Sequence, residues 1–140
     1  MNAQAFGELN NKEVVLGPHF FSSQKLYKFR NIQDAKSQNT IVMVNLDRAT
    51  VYEAKDFSEY VDNLIDNECV KLILDFENVY FMDSVFFGSM IKLLKRVSKL
   101  NGYIKLIVQY DQKPELFALK TFHGIFETYP NLFEAMNSNK

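Results

Sequence analysis

Two stretches with helical periodicity, each followed by a short strand-like segment, most strongly constrain the fold of this 140-residue chain. The first helical stretch, residues 54–66, places large apolar side chains three or four residues apart: Phe57, Tyr60, Val61, Leu64 and Ile65. Residues 70–76 follow it and form a nearly continuous apolar run, which is typical of a strand covered on at least one face. Residues 84–99 and 103–109 repeat this order of helix and strand, and the alternation predicts an α/β layer architecture.

The flanking segments complete a predicted order of β-β-α-β-α-β-α-β-α. Residues 26–33 and 40–46 are strand-like and are separated by the polar turn 34–39, so they predict a hairpin with residues 26–33 as an edge strand. The C-terminal part predicts further elements from proline and glycine positions. These elements are a helix from Pro114 to about His123 with a stop at Gly124, a strand over residues 125–129, and a short helix opened by Pro130.

The length and the composition fit one domain with one core. Hydrophobic residues make up 47% of the chain and charged residues 24%, which is an ordinary globular balance. Residues 1–24 show no sustained period, and we interpret them as a partly ordered N-terminal extension that could cover a sheet edge or mediate homodimer formation. For residues 25–140 we expect an α/β domain with a mixed sheet of four to five strands and about four helices.

Charge and cysteine content exclude several classes of protein. The net charge of -1 argues against a nucleic acid partner and gives no reason to expect direct membrane contact. The single cysteine, Cys69, cannot form an internal disulfide and is interpreted as a small buried hydrophobic residue. A lone thiol fits a reducing compartment, and no segment resembles a signal peptide or a membrane span. We therefore predict a cytoplasmic protein.

The sequence contains no pattern that indicates catalysis or a bound cofactor. No glycine-rich phosphate loop with lysine is present, and no His/Cys cluster has the spacing of metal ligands. Asp83, Ser84 and His123 have the residue types of a hydrolase triad, but nothing in the sequence places His123 near Ser84. His19 and His123 are more simply interpreted as polar surface residues. We therefore predict that the chain is not an enzyme and that it holds neither a cofactor nor a metal.

The segment from Val79 to Gly88 is the most informative part of the chain. A strand ends just before it, and Asp83-Ser84 lies where the next helix begins, so simple N-capping explains both residue types. On a helical wheel the large apolar residues of 84–99 fill one arc, which predicts the core face. Gly88 lies on the opposite arc, where a mid-helix glycine costs about 1 kcal/mol. Either close approach by another backbone explains it, or it is merely tolerated or packs on a neighbouring element.

The exposed arc of this helix has a small, smooth first part and a basic second part. The first part contains Ser84, Val85, Gly88 and Ser89, and the second contains Lys92, Lys95, Arg96 and Lys99. Cations in the last turns of a helix complement its dipole, so a solvated basic face is one interpretation. A docking surface for an acidic partner is the other.

This segment resembles the signature of STAS domains, the family of anti-sigma factor antagonists and of the cytoplasmic tails of sulfate transporters. In the bacterial antagonists a strand is followed by an apolar-aromatic loop, then Asp-Ser, then a helix with glycines in its first turn. The run Phe81-Met82-Asp83-Ser84 matches this loop and dipeptide, and Gly88 matches the second glycine. The stretch from Pro114 to Gly124 with the following Ile125-Phe126 resembles the family's third helix and next strand. The resemblance covers about residues 26–137.

The resemblance implies a regulatory protein-binding module. In the family the serine after the aspartate is phosphorylated, which implies Ser84 as the phosphorylation site. It also implies a serine-kinase-like anti-sigma factor as the partner, bound through Asp83, Ser84, Val85, Gly88, Ser89 and Lys92.

Three positions depart from the family's pattern. Val85 and Phe86 occupy positions where a small residue and a glycine are common, and Asn45 precedes Leu46-Asp47 where a glycine is usual. Two alternatives therefore stay open. One is a constitutive scaffold, and the other is a module that binds nucleotides or another small ligand; phosphorylation would control neither. Some STAS domains are thought to bind nucleotides.

Overall fold

The computed structural model describes residues 11–12, 27–109 and 124–138. The strands within the described ranges are β1 (Asn11–Lys12), β2 (Phe29–Asp34), β3 (Thr40–Val44), β4 (Arg48–Ala49), β5 (Lys71–Asp75), β6 (Phe81–Met82), β7 (Tyr103–Ile107) and β8 (Glu127–Tyr129). The main sheet has the strand order β1-β2-β3-β5-β7-β8. The helices described there are α1 (Val51–Asp66), α2 (Ser84–Lys99) and α3 (Leu132–Met136).

The main sheet is mixed, as the sequence predicts. Strands β2 and β3 form an antiparallel hairpin in which Ile32 pairs with Ile41. Strands β3, β5, β7 and β8 are parallel neighbours. These five strands and their helices confirm the predicted α/β class. The two-residue strand β1 extends the sheet beyond the four to five strands expected, because Asn11 and Lys12 pair antiparallel with Asp34 and Gln33.

The predicted helices agree with the structure where it describes them. Helix α1 begins at Val51, three residues before the predicted start at residue 54, because Thr50 and Glu53 form a capping box. Helix α2 begins at Ser84 as predicted. The terminal helix α3 starts after the N-cap Asn131. The helix predicted from Pro114 to about His123 lies outside the described residues.

The core lies mainly between the sheet and the helices α1 and α2. Three fully buried phenylalanines, Phe57, Phe76 and Phe86, form its centre, and the Phe57 and Phe86 ring centroids are 4.6 Å apart. A smaller cluster on the opposite sheet face packs against α3 through Ile41 and neighbouring isoleucines of β5 and β7. This arrangement follows from the alternation of side chains along each strand, which sends successive residues to opposite faces.

Cys69 is buried beside the hairpin, in line with its predicted role as a packing residue. Its Sγ accepts a hydrogen bond from Gln33 Nε2 at 2.8 Å. Lys105, in contrast, is a buried polar residue that the sequence did not single out. Its Nζ donates to the Ala135 carbonyl at 2.9 Å, near the C-terminal end of α3, where a cation interacts favourably with the helix dipole.

The turn after α1 contains a residue whose replacement should stabilise the protein. Glu68 has φ = 69°, a left-handed conformation that glycine adopts without steric cost, and the following Cys69 N–H closes the helix by donating to the Leu64 carbonyl. We expect Glu68→Gly to raise the free energy of unfolding by about 0.5–1 kcal/mol, measured by urea denaturation. Glu59→Gly, in the exposed middle of α1, is the control and should destabilise by about 1 kcal/mol. A loss of stability in Glu68→Gly would contradict this account.

Candidate functional site

A short parallel pairing outside the main sheet brings the starts of α1 and α2 together. Arg48 and Ala49 of β4 lie opposite Phe81 and Met82 of β6. Backbone bonds extend this contact on both sides: Tyr80 N–H donates to the Asp47 carbonyl, and Asp83 N–H to the Ala49 carbonyl, each at 3.0 Å. The sequence did not predict these strands, because two-residue segments carry no readable periodicity. Their consequence is that both helices begin at the same edge of the domain.

Asp83 uses both carboxylate oxygens to hold the two helix starts. Its Oδ1 accepts from the Phe86 N–H at 2.9 Å, the expected N-cap bond of α2. Its Oδ2 accepts from the Val51 N–H of α1 at 2.8 Å. A negative charge near two helix N-termini is also favoured by both helix dipoles. Asp83 is thus a structural link between α1 and α2, which the sequence interpretation as a single N-cap did not reveal.

Ser84 is the first residue of α2 and not its cap, so capping does not account for this serine. The side chain is exposed, and within the described part of the chain its hydroxyl makes no hydrogen bond. The interpretation of Ser84 as an N-cap is therefore wrong, because the Asp83 carboxylate occupies that role. The Ser84 hydroxyl is accessible at the N-terminus of α2, which is the positive end of the helix dipole, and an added anion would be stabilised there.

The other predicted binding residues follow Ser84 along α2. Val85 is 50% exposed, and Lys92 is also exposed. Ser89 is half-buried, and its Oγ donates to the Val85 carbonyl at 3.3 Å. A Cβ built on Gly88 would meet no atom within 4 Å, so Gly88 does not pack on a neighbouring element of the described chain. Tolerance of glycine, or approach by another molecule, remains as its explanation.

Exposed apolar side chains on α1 adjoin this surface, and the sequence analysis missed them. Val51 is 50% exposed and Tyr52 is 86% exposed. Both lie in the first turn of α1, which Asp83 links to the start of α2. Beside them, the Arg48 guanidinium lies 4.2 Å from the centre of the Phe81 ring. Aromatic residues are enriched at the centres of protein interfaces, so the exposed Tyr52 marks this region as a candidate contact surface. Sequence alone does not report exposure at a helix start.

The basic residues of α2 divide into two groups. Arg96 bridges to α1, since its guanidinium nitrogens lie 2.7 Å from Asp62 Oδ1 and 2.6 Å from Asp66 Oδ1. The hydrogen bonds that the guanidinium donates to Asp66 and Asp62 raise the pKa of Arg96. Lys92, Lys95 and Lys99 are exposed, and no carboxylate of the described residues lies within ion-pair distance of them. One basic residue of α2 therefore links the two helices, and the other three make no ion pair with the described residues.

Asp75 is the last residue of the central strand β5, and we expect it to make the stability of the domain depend on pH. Burial raises the pKa of Asp75, although the Glu77 N–H donates to its Oδ1 at 2.9 Å and opposes the shift. A carboxyl whose folded pKa is raised stabilises the fold below its unfolded pKa, and this stability is lost as pH rises through the folded pKa. We expect Asp75→Asn, which keeps the oxygen acceptor, to reduce the loss of thermal stability between acidic and neutral pH. An unchanged pH profile in Asp75→Asn would contradict the assignment.

Other sites of chemistry are not found in the residues that the structure describes. No group of three or more His, Cys, Asp or Glu side chains there is arranged to hold a metal ion. None of the helices described is long and apolar enough to cross a membrane. A polar cleft of about 370 Å³ borders Cys69 and the hairpin turn, at the opposite end of the parallel strands from Ser84. His19 and His123 lie outside the described residues.

The family model of the STAS domain matches residues 33–135, which include the whole surface just described. The chain belongs to the STAS domain family. Its fold is similar to that of an anti-sigma-factor antagonist (STAS) domain protein from Planctomyces limnophilus, with a TM-score of 0.63 and 18% identity over 77% of this chain and 94% of that one. No curated protein is similar enough in sequence to be counted as a relative.

Two forms of one further protein share the fold. The anti-sigma factor antagonist SpoIIAA in its unphosphorylated form has a TM-score of 0.59 and 15% identity, over 76% of this chain and 92% of that one. The Bacillus cell fate determinant SpoIIAA in its phosphorylated form has a TM-score of 0.56 and 14% identity, over 78% of this chain and 96% of that one. At these identities the similarity establishes the fold.

Proposed function

We propose that this STAS domain is a regulatory protein-binding module of the anti-sigma factor antagonist type, controlled by phosphorylation of Ser84. The observation that carries the proposal is the division of roles at the start of α2. Asp83 makes the structural bonds, while the exposed Ser84 hydroxyl makes none among the described residues. An exposed hydroxyl with no hydrogen bond to the described residues is available for modification and for contact with a partner.

The chemistry of a phosphoserine suits a switch at this position. A phosphoryl group adds nearly two negative charges and three acceptor oxygens. The N-terminus of α2 would stabilise that charge, and the exposed position of Ser84 leaves space for it. A partner surface that is complementary to the neutral hydroxyl would be repelled. The complex would then dissociate while the domain keeps its fold.

The similarity to SpoIIAA supports this mechanism. That protein has been solved in an unphosphorylated and in a phosphorylated form, and the present fold matches both. The proposed partner is a serine-kinase-like anti-sigma factor, and its proposed contact residues on this chain are Asp83, Ser84, Val85, Gly88, Ser89 and Lys92. In this proposal the chain itself performs no catalysis, acts in the cytoplasm and contacts neither membrane nor nucleic acid directly.

A constitutive scaffold is the alternative function, and Val85 favours it. A 50% exposed valine directly after the serine gives a permanent apolar contact that does not depend on phosphorylation. In that case Ser84→Ala and Ser84→Asp would bind the same partners equally well.

The test uses each serine-kinase-type anti-sigma protein of the same genome, purified and incubated with the full chain and ATP. We expect one of them to increase the mass of the chain by one phosphoryl group at Ser84. We also expect Ser84→Asp to weaken its binding at least about tenfold, because a new like charge at an interface is unfavourable. Gln38→Asp, in the exposed hairpin turn at the opposite end of the parallel strands from Ser84, is the matched control and should bind as the wild type does. If no kinase modifies Ser84 and Ser84→Asp binds normally, phosphorylation control is wrong.

A further inference from the structure

The exposed face of α2 continues without interruption from Ser84 to the last turn of the helix. On a wheel of 100° per residue, Lys92, Lys95 and Lys99 lie within the arc bounded by Ser84 and Val85, and Gly88 lies in the same arc. We call these three lysines the lysine ridge. The helix is about 24 Å long, so the ridge and Ser84 form one narrow strip along it. A partner that covers Ser84 and extends along α2 would therefore cover the ridge as well.

Within the part of the chain that the structure describes, the lysine ridge has no ion pair, because Arg96 already occupies the α1 carboxylates that face α2. Asp62 and Asp66, the carboxylates of α1 that face α2, are both bound by Arg96. The ridge lysines have no ion pair among the described residues. Three adjacent positive charges on one helix face repel each other, and an opposing row of carboxylates would relieve that repulsion.

The neighbouring helix restricts the shape of the anion that can bind. Helix α1 lies beside α2 and contains five acidic residues but only one basic residue, Lys55. Its charge stays negative after the ion pairs with Lys28, Lys55 and Arg96 are counted. A wide anionic surface, such as a lipid bilayer or a DNA duplex, would meet these acidic groups as well as the lysines. A narrow acidic segment of a protein would meet the lysines alone. The open space above Gly88 allows such a segment to approach the helix backbone closely.

We propose that the lysine ridge docks an acidic segment of the protein partner, so that the partner's footprint runs from Ser84 along the full length of α2. This proposal rests on the proposed function and specifies the chemistry of its partner. It also predicts that phosphorylation of Ser84 weakens binding of the partner more strongly. A phosphoryl group on Ser84 would add negative charge at one end of a surface that binds carboxylates, and an acidic partner would be repelled more strongly than a neutral one.

The experiment measures binding of the same purified kinase-type anti-sigma proteins to ridge variants of the full chain. We expect each of Lys92→Glu, Lys95→Glu and Lys99→Glu to weaken binding about three- to tenfold at low salt, and the triple variant to weaken it more than about a hundredfold. Wild-type affinity should fall steeply as NaCl increases from about 50 to about 500 mM, and the triple variant should show little of this dependence. Lys36→Glu, in the hairpin turn, is the matched control and should bind normally.

The outcomes separate this proposal from the function on which it rests. A water-soluble carbodiimide, which condenses amines with adjacent carboxylates, should cross-link ridge lysines to aspartates or glutamates of the partner. Binding that is insensitive to salt and to the triple reversal overturns the ridge and leaves the phosphorylation switch intact. If no kinase-type protein binds the wild type, both proposals are wrong. Ridge-dependent binding to phosphatidylglycerol vesicles or to duplex DNA, with kinase binding unaffected by the reversals, assigns the lysines to those anions and overturns the acidic segment.

Discussion

Phe86→Ala is expected to lower the free energy of unfolding by about 3–5 kcal/mol, the largest single effect predicted for this domain. Phe86 is fully buried, and its ring lies 4.6 Å from that of Phe57 and 6.5 Å from that of Phe76. Removing the ring loses the favourable free energy of burying it away from water and leaves a cavity between α1, α2 and the sheet. Because the family commonly has glycine near this position, the prediction also tests whether this chain depends on the larger side chain.

The matched control is Phe133→Ala on α3, since Phe133 is 74% exposed. It should change the stability by less than about 0.5 kcal/mol. Urea denaturation followed by circular dichroism measures both variants. A loss below about 1 kcal/mol in Phe86→Ala would show that the core rearranges to fill the space, contrary to the close packing of the three rings.

Asp83→Ala is expected to cost about 2–3 kcal/mol and to separate the starts of the two helices. Loss of an N-cap alone costs about 0.5–2 kcal/mol, and the lost bond to the Val51 N–H adds to it. Hydrogen exchange should reveal the effect locally, with faster exchange in the first turns of both α1 and α2. Asp83→Asn keeps only one carbonyl oxygen as an acceptor, so it should show an intermediate loss of stability.

Asp47→Ala is the control for the removal of a carboxylate at this edge. Asp47 is exposed and contributes its backbone carbonyl to Tyr80, a bond that alanine retains. The free energy of unfolding of the Asp47→Ala variant should differ from that of the wild type by less than about 0.5 kcal/mol. If Asp83→Ala affected exchange only in α2, the second capping bond would not stabilise α1 in solution.

The periodic parts of the fold could be predicted because local patterns determine them. The stripe of Phe57, Tyr60 and Leu64 identifies α1, and the apolar run Leu72–Leu74 identifies a covered strand. The wheel of α2 correctly assigned Phe86 to the core and Val85 to the surface, because burial of one face follows directly from the helical repeat. The hairpin turn and the Asp83 cap of α2 follow similarly from residue types with known local conformations.

The tertiary contacts at the candidate site could not be predicted in this way. Arg96 appeared as one of four equivalent cations on α2, yet it is bound to Asp62 and Asp66, 30 or more residues earlier in the chain. Tyr52 lies before the predicted start of α1, so no sequence pattern singled it out, and its exposure is a property of the folded domain. A pattern within one element does not contain the distance to another element.

Ser84 and Asp83 show which features of the site the sequence determines and which ones the tertiary structure decides. The order of residues alone determined that a helix begins here and that an aspartate and a serine stand at its start, because capping and periodicity act over three or four neighbouring positions. The short β4–β6 pairing decided how the two residues differ. It brings Val51 within 2.8 Å of Asp83 and commits that carboxylate to two helices, while the neighbouring hydroxyl remains exposed. Such a division requires two segments 32 residues apart to meet, and only packing of the whole domain achieves that.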